Sequence, residues 1–117
     1  MAKFLFILNG PPYGDERSYN GLRLADSLAK HDGSEVRVFL IGDAAACAKR
    51  GQKTPQGFYN LERMLHLLQQ RRGQAGVCGS CLDARGMAET ELAEGCHRSN
   101  MEELTNWTIW ADQVLVF

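Results

Sequence analysis

Four short apolar runs, "KFLFIL" (Lys3 to Leu8), "EVRVFLIGD" (Glu35 to Asp43), "QAGVC" (Gln74 to Cys78) and "DQVLVF" (Asp112 to Phe117), alternate with helix-forming stretches. No other feature restricts the fold as strongly. A run that is apolar on both faces suits a strand covered on both sides, and a parallel strand needs a crossover helix to reach the next. Strand, helix, strand repeated along a chain predicts an α/β domain with helices on both faces of a parallel sheet.

The intervening stretches read as helices. Leu22, Ala25, Leu28 and Ala29 recur at helical spacing, with Arg23, Asp26 and Lys30 elsewhere. Asp15 and Glu16 suit the positive end of a helix, and Gly33 is expected to stop it. A short alanine-rich segment, Ala44 to Ala48, precedes a polar loop with Gly51, Pro55 and Gly57. Leu61, Met64, Leu65 and Leu68 mark an amphipathic helix. A short helix is expected near Glu89 to Glu94, stopped by Gly95. Ser99 and Glu102 form a capping-box pattern that opens a helix through Trp110. "DQVLVF" is expected as a further buried strand. No linker or repeat divides the 117 residues, so one domain, 1–117, is expected.

In such a fold, ligands gather beyond the carboxyl ends of the strands. Three loops should lie there: Asn9 to Asp15, Gly42 to Asp43, and Cys78 to Gly86. The third holds "CGSC", a C-x-x-C pair of Cys78 and Cys81. If Cys78 ends a strand and a helical turn follows, free backbone N–H groups favour its thiolate. That sulfur can then attack a sulfur atom, carry it as a persulfide, or form a disulfide with Cys81. Arg85 offers added positive charge. The plain alternative is two small side chains packing a strand end.

Other chemistries find weaker support. Zinc needs about four ligands. Cys96 and His97 would complete the count, but they are adjacent in the chain and no second C-x-x-C exists. No metal and no cofactor are expected. Cys47, among small neighbours in "AAACAKR", reads as a buried thiol, and Cys96 as a packing residue ahead of a second sulfur site. Pro11 and Pro12 remove N–H donors from the first loop, and Asp15 and Glu16 repel anions, so that loop is a poor phosphate cradle. Asn9, Tyr13, Gly42 and Asp43 are read instead as pocket walls. "GQKT" departs from the P-loop pattern, with Cys47 where its first glycine would fall. His31 and His66 are expected on helices in solvated or capping roles.

The net charge of -1 gives no basic surface for nucleic acid, so Trp107 and Trp110 read as core or interface anchors. Phe4 to Leu8 is too short to span a membrane or serve as a secretory signal. A cytoplasmic setting is expected, where clustered cysteines point to chemistry more than to structural disulfides.

"GPPYGDERSYNGLRLA", "VRVFLIGDAAACAKRGQKTPQGFYNLERML" and "VCGSCLDARG" together closely resemble the DsrE/DsrF-like family, especially its stand-alone YchN-like branch. The resemblance covers Lys3 to Phe117. It implies a three-layer α/β/α sandwich with a mostly parallel sheet, assembled as a trimer or hexamer. It also implies sulfur carriage as a persulfide on the cysteine that matches Cys78, with sulfur donor and acceptor proteins as partners. On that reading Cys81 is a resolving thiol or second acceptor, and Arg85 stabilises anionic sulfur. A thiol–disulfide switch and a non-catalytic oligomeric module for a small ligand remain open beside it. Trp107, Trp110 and Phe58 are candidates for the apolar surface of such an assembly.

Overall fold

The computed structural model describes residues 2–55 and 59–117; Gly57 and Phe58 lie outside the described residues. Five parallel strands form one sheet in the order β4-β3-β2-β1-β5. They are β1 (Ala2–Leu8), β2 (Ser34–Leu40), β3 (Gln74–Cys78), β4 (Cys96–Ser99) and β5 (Gln113–Val116). The helices are α1 (Arg17–Ala29), α2 (Leu61–Gln70), α3 (Gly79–Ala84) and α4 (Met101–Trp110). Two short 3-10 segments, Gly42–Ala48 and Glu89–Glu91, complete the order.

Strand pleating divides the core in two. Phe6, Leu8, Val36, Val38, Leu40 and Val77 point to one face. There they meet Leu22 and Ala25 of α1, Leu61, Leu65 and Leu68 of α2, and Leu82 of α3. Leu5 and Phe39 point to the other face and meet Leu104 and Trp107 of α4. Three helices therefore cover one face and α4 covers the other, giving the α/β/α layering. From β1 to β4 the chain steps steadily toward one edge. After β4 it returns behind the sheet through α4 to place β5 beside β1. Crossovers of one hand require that reversal of direction to change the face.

Local chemistry sets the element ends. Asn60 accepts a hydrogen bond from the Arg63 N–H at 3.0 Å and caps α2. Asp15 accepts from the Arg17 N–H at 2.8 Å at the start of α1, as a carboxylate there should. That helix ends at Ala29, before Gly33, and His31 falls in the turn beyond it.

The C-terminal third departs from expectation in several ways. "CHRS" is a strand, β4, so Cys96 opens a strand and does not follow a helix. The helix expected near Glu89 to Glu94 is only the 3-10 turn Glu89–Glu91. Helix α4 is capped one residue later than the Ser99 pattern suggests: Asn100 accepts from the Glu103 N–H at 2.9 Å. Ser99 is then free to end β4. Strand β5 is an edge strand, with Val116 65% exposed, not a buried one. Trp107 is buried under α4, where Phe39 meets it edge-on, so it is not available as outer surface. Arg37 stacks over Trp110, 3.8 Å from the ring centroid.

One core-facing group is poorly served. Asp26 on α1 is 8% exposed, and its Oδ1 has no hydrogen-bond partner among the described residues. Burial pushes its carboxyl up to about 6, against the weaker pull of Arg71 and Lys30. The folded state thus holds this proton more tightly than the unfolded chain. Its penalty is absent well below pH 3.8, grows as pH rises toward 6, and is complete above that. Asp26→Asn should raise unfolding stability by roughly 1–3 kcal/mol at pH 8. The gain should shrink toward zero near pH 4, as read by urea denaturation at both values.

Candidate functional site

Helix α3 leaves β3 on one face of the sheet, and α4 leaves β4 on the other. These strands are neighbours, with Cys78 paired to Ser99 at their carboxyl ends. Diverging connections leave a crevice between adjacent strand ends, the usual ligand position in such sheets. Here it is an open space of about 440 Å³, lined by Phe39, Cys78, Gly79, Ser80, Arg98, Ser99, Asn100 and Met101.

Cys78 is the hinge between β3 and α3. It is the last strand residue and the N-cap of the helix. Its Sγ lies 2.7 Å from Cys81 Sγ, which donates to it, and 3.4 Å from Ser80 Oγ. Partial burial by itself would raise the Cys78 thiol. The hydrogen bonds of Cys81 Sγ, Ser80 Oγ and the backbone N–H groups of both residues outweigh it, holding Cys78 below the usual thiol range. Cys81 shifts the opposite way. Burial and its bond to Cys78 raise it, although the Gly42 N–H donates to its Sγ at 3.2 Å. The pair is therefore unequal, with Cys78 the more acidic thiol and Cys81 the less acidic one.

Gly79 lets this arrangement close up. A Cβ there would lie 2.9 Å from the Ser99 carbonyl oxygen and 2.9 Å from Arg98 Cζ. The start of α3 thus rests directly on β4. Gly76, one turn of the strand earlier, leaves room for Trp107 and for the Glu103 carboxylate. That carboxylate accepts from Ser99 Oγ at 2.5 Å and pairs with His97 Nε2 at 2.5 Å, which anchors the β4 end of the crevice to α4. Burial opposes the ionised form of Glu103, but these two partners prevail and keep it below the usual carboxylate range.

Two cations flank the cysteines. Arg85 donates to the Cys81 carbonyl at 3.1 Å and to Asp43 Oδ1 at 2.6 Å, so its guanidinium is tied to the Gly42–Asp43 turn. Arg98 lines the crevice itself, held by a two-pronged pair with Asp83 at 2.9 Å on each arm. Of the residues expected from sequence, the fold brings Cys78, Cys81, Arg85, Gly42 and Asp43 together. It does not bring Asn9 or Tyr13 to the crevice. Asn9 donates to the Phe117 carbonyl at 3.0 Å, beside β5. Tyr13 donates to Gln52 Oε1 at 2.5 Å and accepts from the Leu61 N–H at 3.3 Å, near the start of α2.

Sequence reasoning missed Ser80, Arg98, Ser99, Asn100 and Met101. The run Arg98 to Met101 spans the end of β4 and the start of α4, and that strand has no apolar alternation to betray it. The Asn100–Glu103 spacing, itself a capping pattern, was the available signal. Cys47 is fully buried and donates to the Gly10 carbonyl at 3.7 Å; burial pushes it up to about 12. Burial does the same to Cys96. Among the described residues, no three His, Cys, Asp or Glu side chains gather to hold a metal ion, and no helix is long and apolar enough to cross a membrane.

Cysteine alkylation should follow this order. Cys78 should react first, with a midpoint below that of an ordinary thiol. Cys47 and Cys96 should stay unmodified at neutral pH. Ser80→Ala removes one donor and should move the Cys78 midpoint upward, as read by the pH dependence of iodoacetamide labelling and peptide mass.

The sheet order and the helix layers on its two faces make this an α/β/α protein with one parallel sheet. A family model for the DsrE/DsrF-like family matches residues 2–117, and the chain belongs to that family, which is associated with sulfur relay. It is 38% identical over 118 residues to Protein YchN of Escherichia coli strain K12, covering 100% of both chains. It is 35% identical over 111 residues to an uncharacterized protein of Methanopyrus kandleri, covering 95% of this chain and 90% of that one. The crystal structure of the E. coli ychN protein superposes with a TM-score of 0.93 at 37% identity, over 100% of each chain. A Methanobacterium thermoautotrophicum protein, MTH1491, has a TM-score of 0.77 over 100% of each chain; at 14% identity it shows the fold alone.

Proposed function

We propose that this protein carries sulfur as a persulfide on Cys78, in a reducing, cytoplasmic setting. The observation that supports it is the Cys78 sulfur itself. It faces an open crevice at the strand ends and is surrounded by donors that favour the thiolate. A thiolate there attacks the outer sulfur of a donor persulfide. The bond between the donor's two sulfurs breaks, the donor leaves as its thiolate, and Cys78 holds the transferred atom.

Arg98, on the crevice wall, meets the negative charge of the carried sulfur. Arg85 acts at one remove, by tying α3 to the Gly42–Asp43 turn that holds Cys81. A crevice open to solvent suits exchange with donor and acceptor proteins. The assembly is a homo-oligomer on this reading, trimeric or hexameric, in which the exposed Ile109 and Val116 side chains would be covered.

The 2.7 Å approach of Cys81 to Cys78 favours a second reading, a thiol–disulfide switch. Peptide mapping after mild oxidation tests it; a Cys78–Cys81 bond is expected on that reading and its absence counts against it. For the carrier, intact mass after incubation with a persulfide donor should show the gain of one sulfur atom. Cys78→Ser should abolish the gain. A variant that still gains sulfur equally would remove Cys78 from this role.

A further inference from the structure

We propose that Cys81 discharges the sulfur carried on Cys78 as hydrosulfide, closing a Cys78–Cys81 disulfide, so that the carrier is also a sulfane-sulfur reductase. The inference rests on the persulfide reading above and adds a chemical end to it.

The two side chains pack against different core clusters. Cys78 packs with the α4-side core and lines the crevice with Phe39, Arg98 and Ser99. Cys81 packs against the opposite core, beneath the Gly42 turn, and does not line the crevice. The crevice that Cys78 lines gives a sulfur atom added to it open space. Cys81 Sγ meets Cys78 Sγ from behind, at 2.7 Å. Displacement at sulfur needs attacker, central sulfur and leaving sulfur in a line, which an outer sulfur seated in the crevice opposite Cys81 would satisfy.

The step balances within the chain. The Cys81 sulfur electron pair forms a bond to Cys78 Sγ. The bond from Cys78 Sγ to the outer sulfur breaks, and its pair leaves with the outer atom. That atom takes the Cys81 proton and departs as hydrosulfide. The sulfane sulfur is reduced by two electrons and the two thiols are oxidised to a disulfide. The Gly42 N–H, 3.2 Å from Cys81 Sγ, stabilises negative charge on the attacking sulfur as its proton leaves. Arg98 and Ser80 stand on the departure side. A low-molecular-weight or protein dithiol must reduce the disulfide to reset the site.

The same geometry separates this activity from plain relay. A relay needs an acceptor thiol to attack the outer sulfur from the crevice. Discharge needs no partner until the disulfide is reduced.

The test uses the whole chain, loaded with a persulfide donor without air and then desalted. Loading is confirmed first, as a one-sulfur gain mapped to Cys78. Without added thiol, wild type should release one hydrosulfide per loaded site and show a Cys78–Cys81 disulfide in the peptide map. Cys81→Ser should load equally and lose sulfide release. Loading that is followed by neither hydrosulfide nor the disulfide in wild type overturns the discharge and leaves the carrier standing. Equal release from Cys81→Ser also overturns it. Failure of Cys78 to load overturns both. The wild-type disulfide readout keeps the test decisive if Cys81→Ser does not fold.

Discussion

Strands β3 and β4 lie side by side, yet the chain leaves them on opposite faces of the sheet. Helix α3 turns toward the three-helix layer, and α4 turns toward the other. This divergence follows from the reversal of strand order after β4, because crossovers of a single hand must then change face. Everything chemical in the molecule depends on it. The gap between diverging helices exposes the end of β3, and Cys78 is the residue that ends it. Ser99, its partner across the pair, ends β4. A continuous march of strands would have roofed this edge with consecutive connections and left the thiolate without an open approach.

The thiolate is then stabilised by short-range contacts and not by a formal charge in direct contact. Both arginines beside it are committed: Arg85 to Asp43 and Arg98 to Asp83. Neutral donors do the closer work, from Cys81, Ser80 and the backbone. Such donors keep their strength when salt screens exposed charges. They also ask for tight geometry, which explains the bare backbone at Gly79. Any side chain there would push α3 away from β4 and turn its N–H groups off the sulfur.

Much of this was legible in the sequence, and what was not has a physical reason. β1, β2 and β3 announce themselves because covered strands must be apolar, and "QAGVC" ends in Cys78 itself. β4 is silent because "CHRS" has one buried residue, Ser99, beside half-buried Cys96 and His97, while Arg98 reaches outward to Asp83. Missing that strand hides the crevice wall and leaves Arg98 unplaced. Two capping patterns overlap at Ser99–Glu102 and Asn100–Glu103, and spacing cannot choose between them. The choice falls to Asn100 because Ser99 Oγ is already engaged with the Glu103 side chain. β5 looks as apolar as β1, but apolar composition does not tell an edge from a centre. Asn9 and Tyr13 sit on loops at the correct end of the sheet, yet each is spent on a local contact, with Phe117 and with Gln52 and Leu61.

The least settled residue in the sequence becomes the most informative one in the structure. A lone thiolate at a strand end can accept and pass sulfur, but it has no means of ending the cycle by itself. Cys81 lies one helical turn on, so its side chain comes back toward Cys78 by the i, i+3 geometry of α3. That turn carries it to the three-helix side, away from the crevice, and onto the Gly42 N–H. Burial and its contact with Cys78 hold its thiol above the usual range, and it donates to Cys78 Sγ. On the proposed persulfide reading, loading moves the negative charge outward to the new terminal sulfur and weakens the reason for that proton to stay. One C-x-x-C spacing thus sets one sulfur on the crevice and a second directly against it, 2.7 Å away.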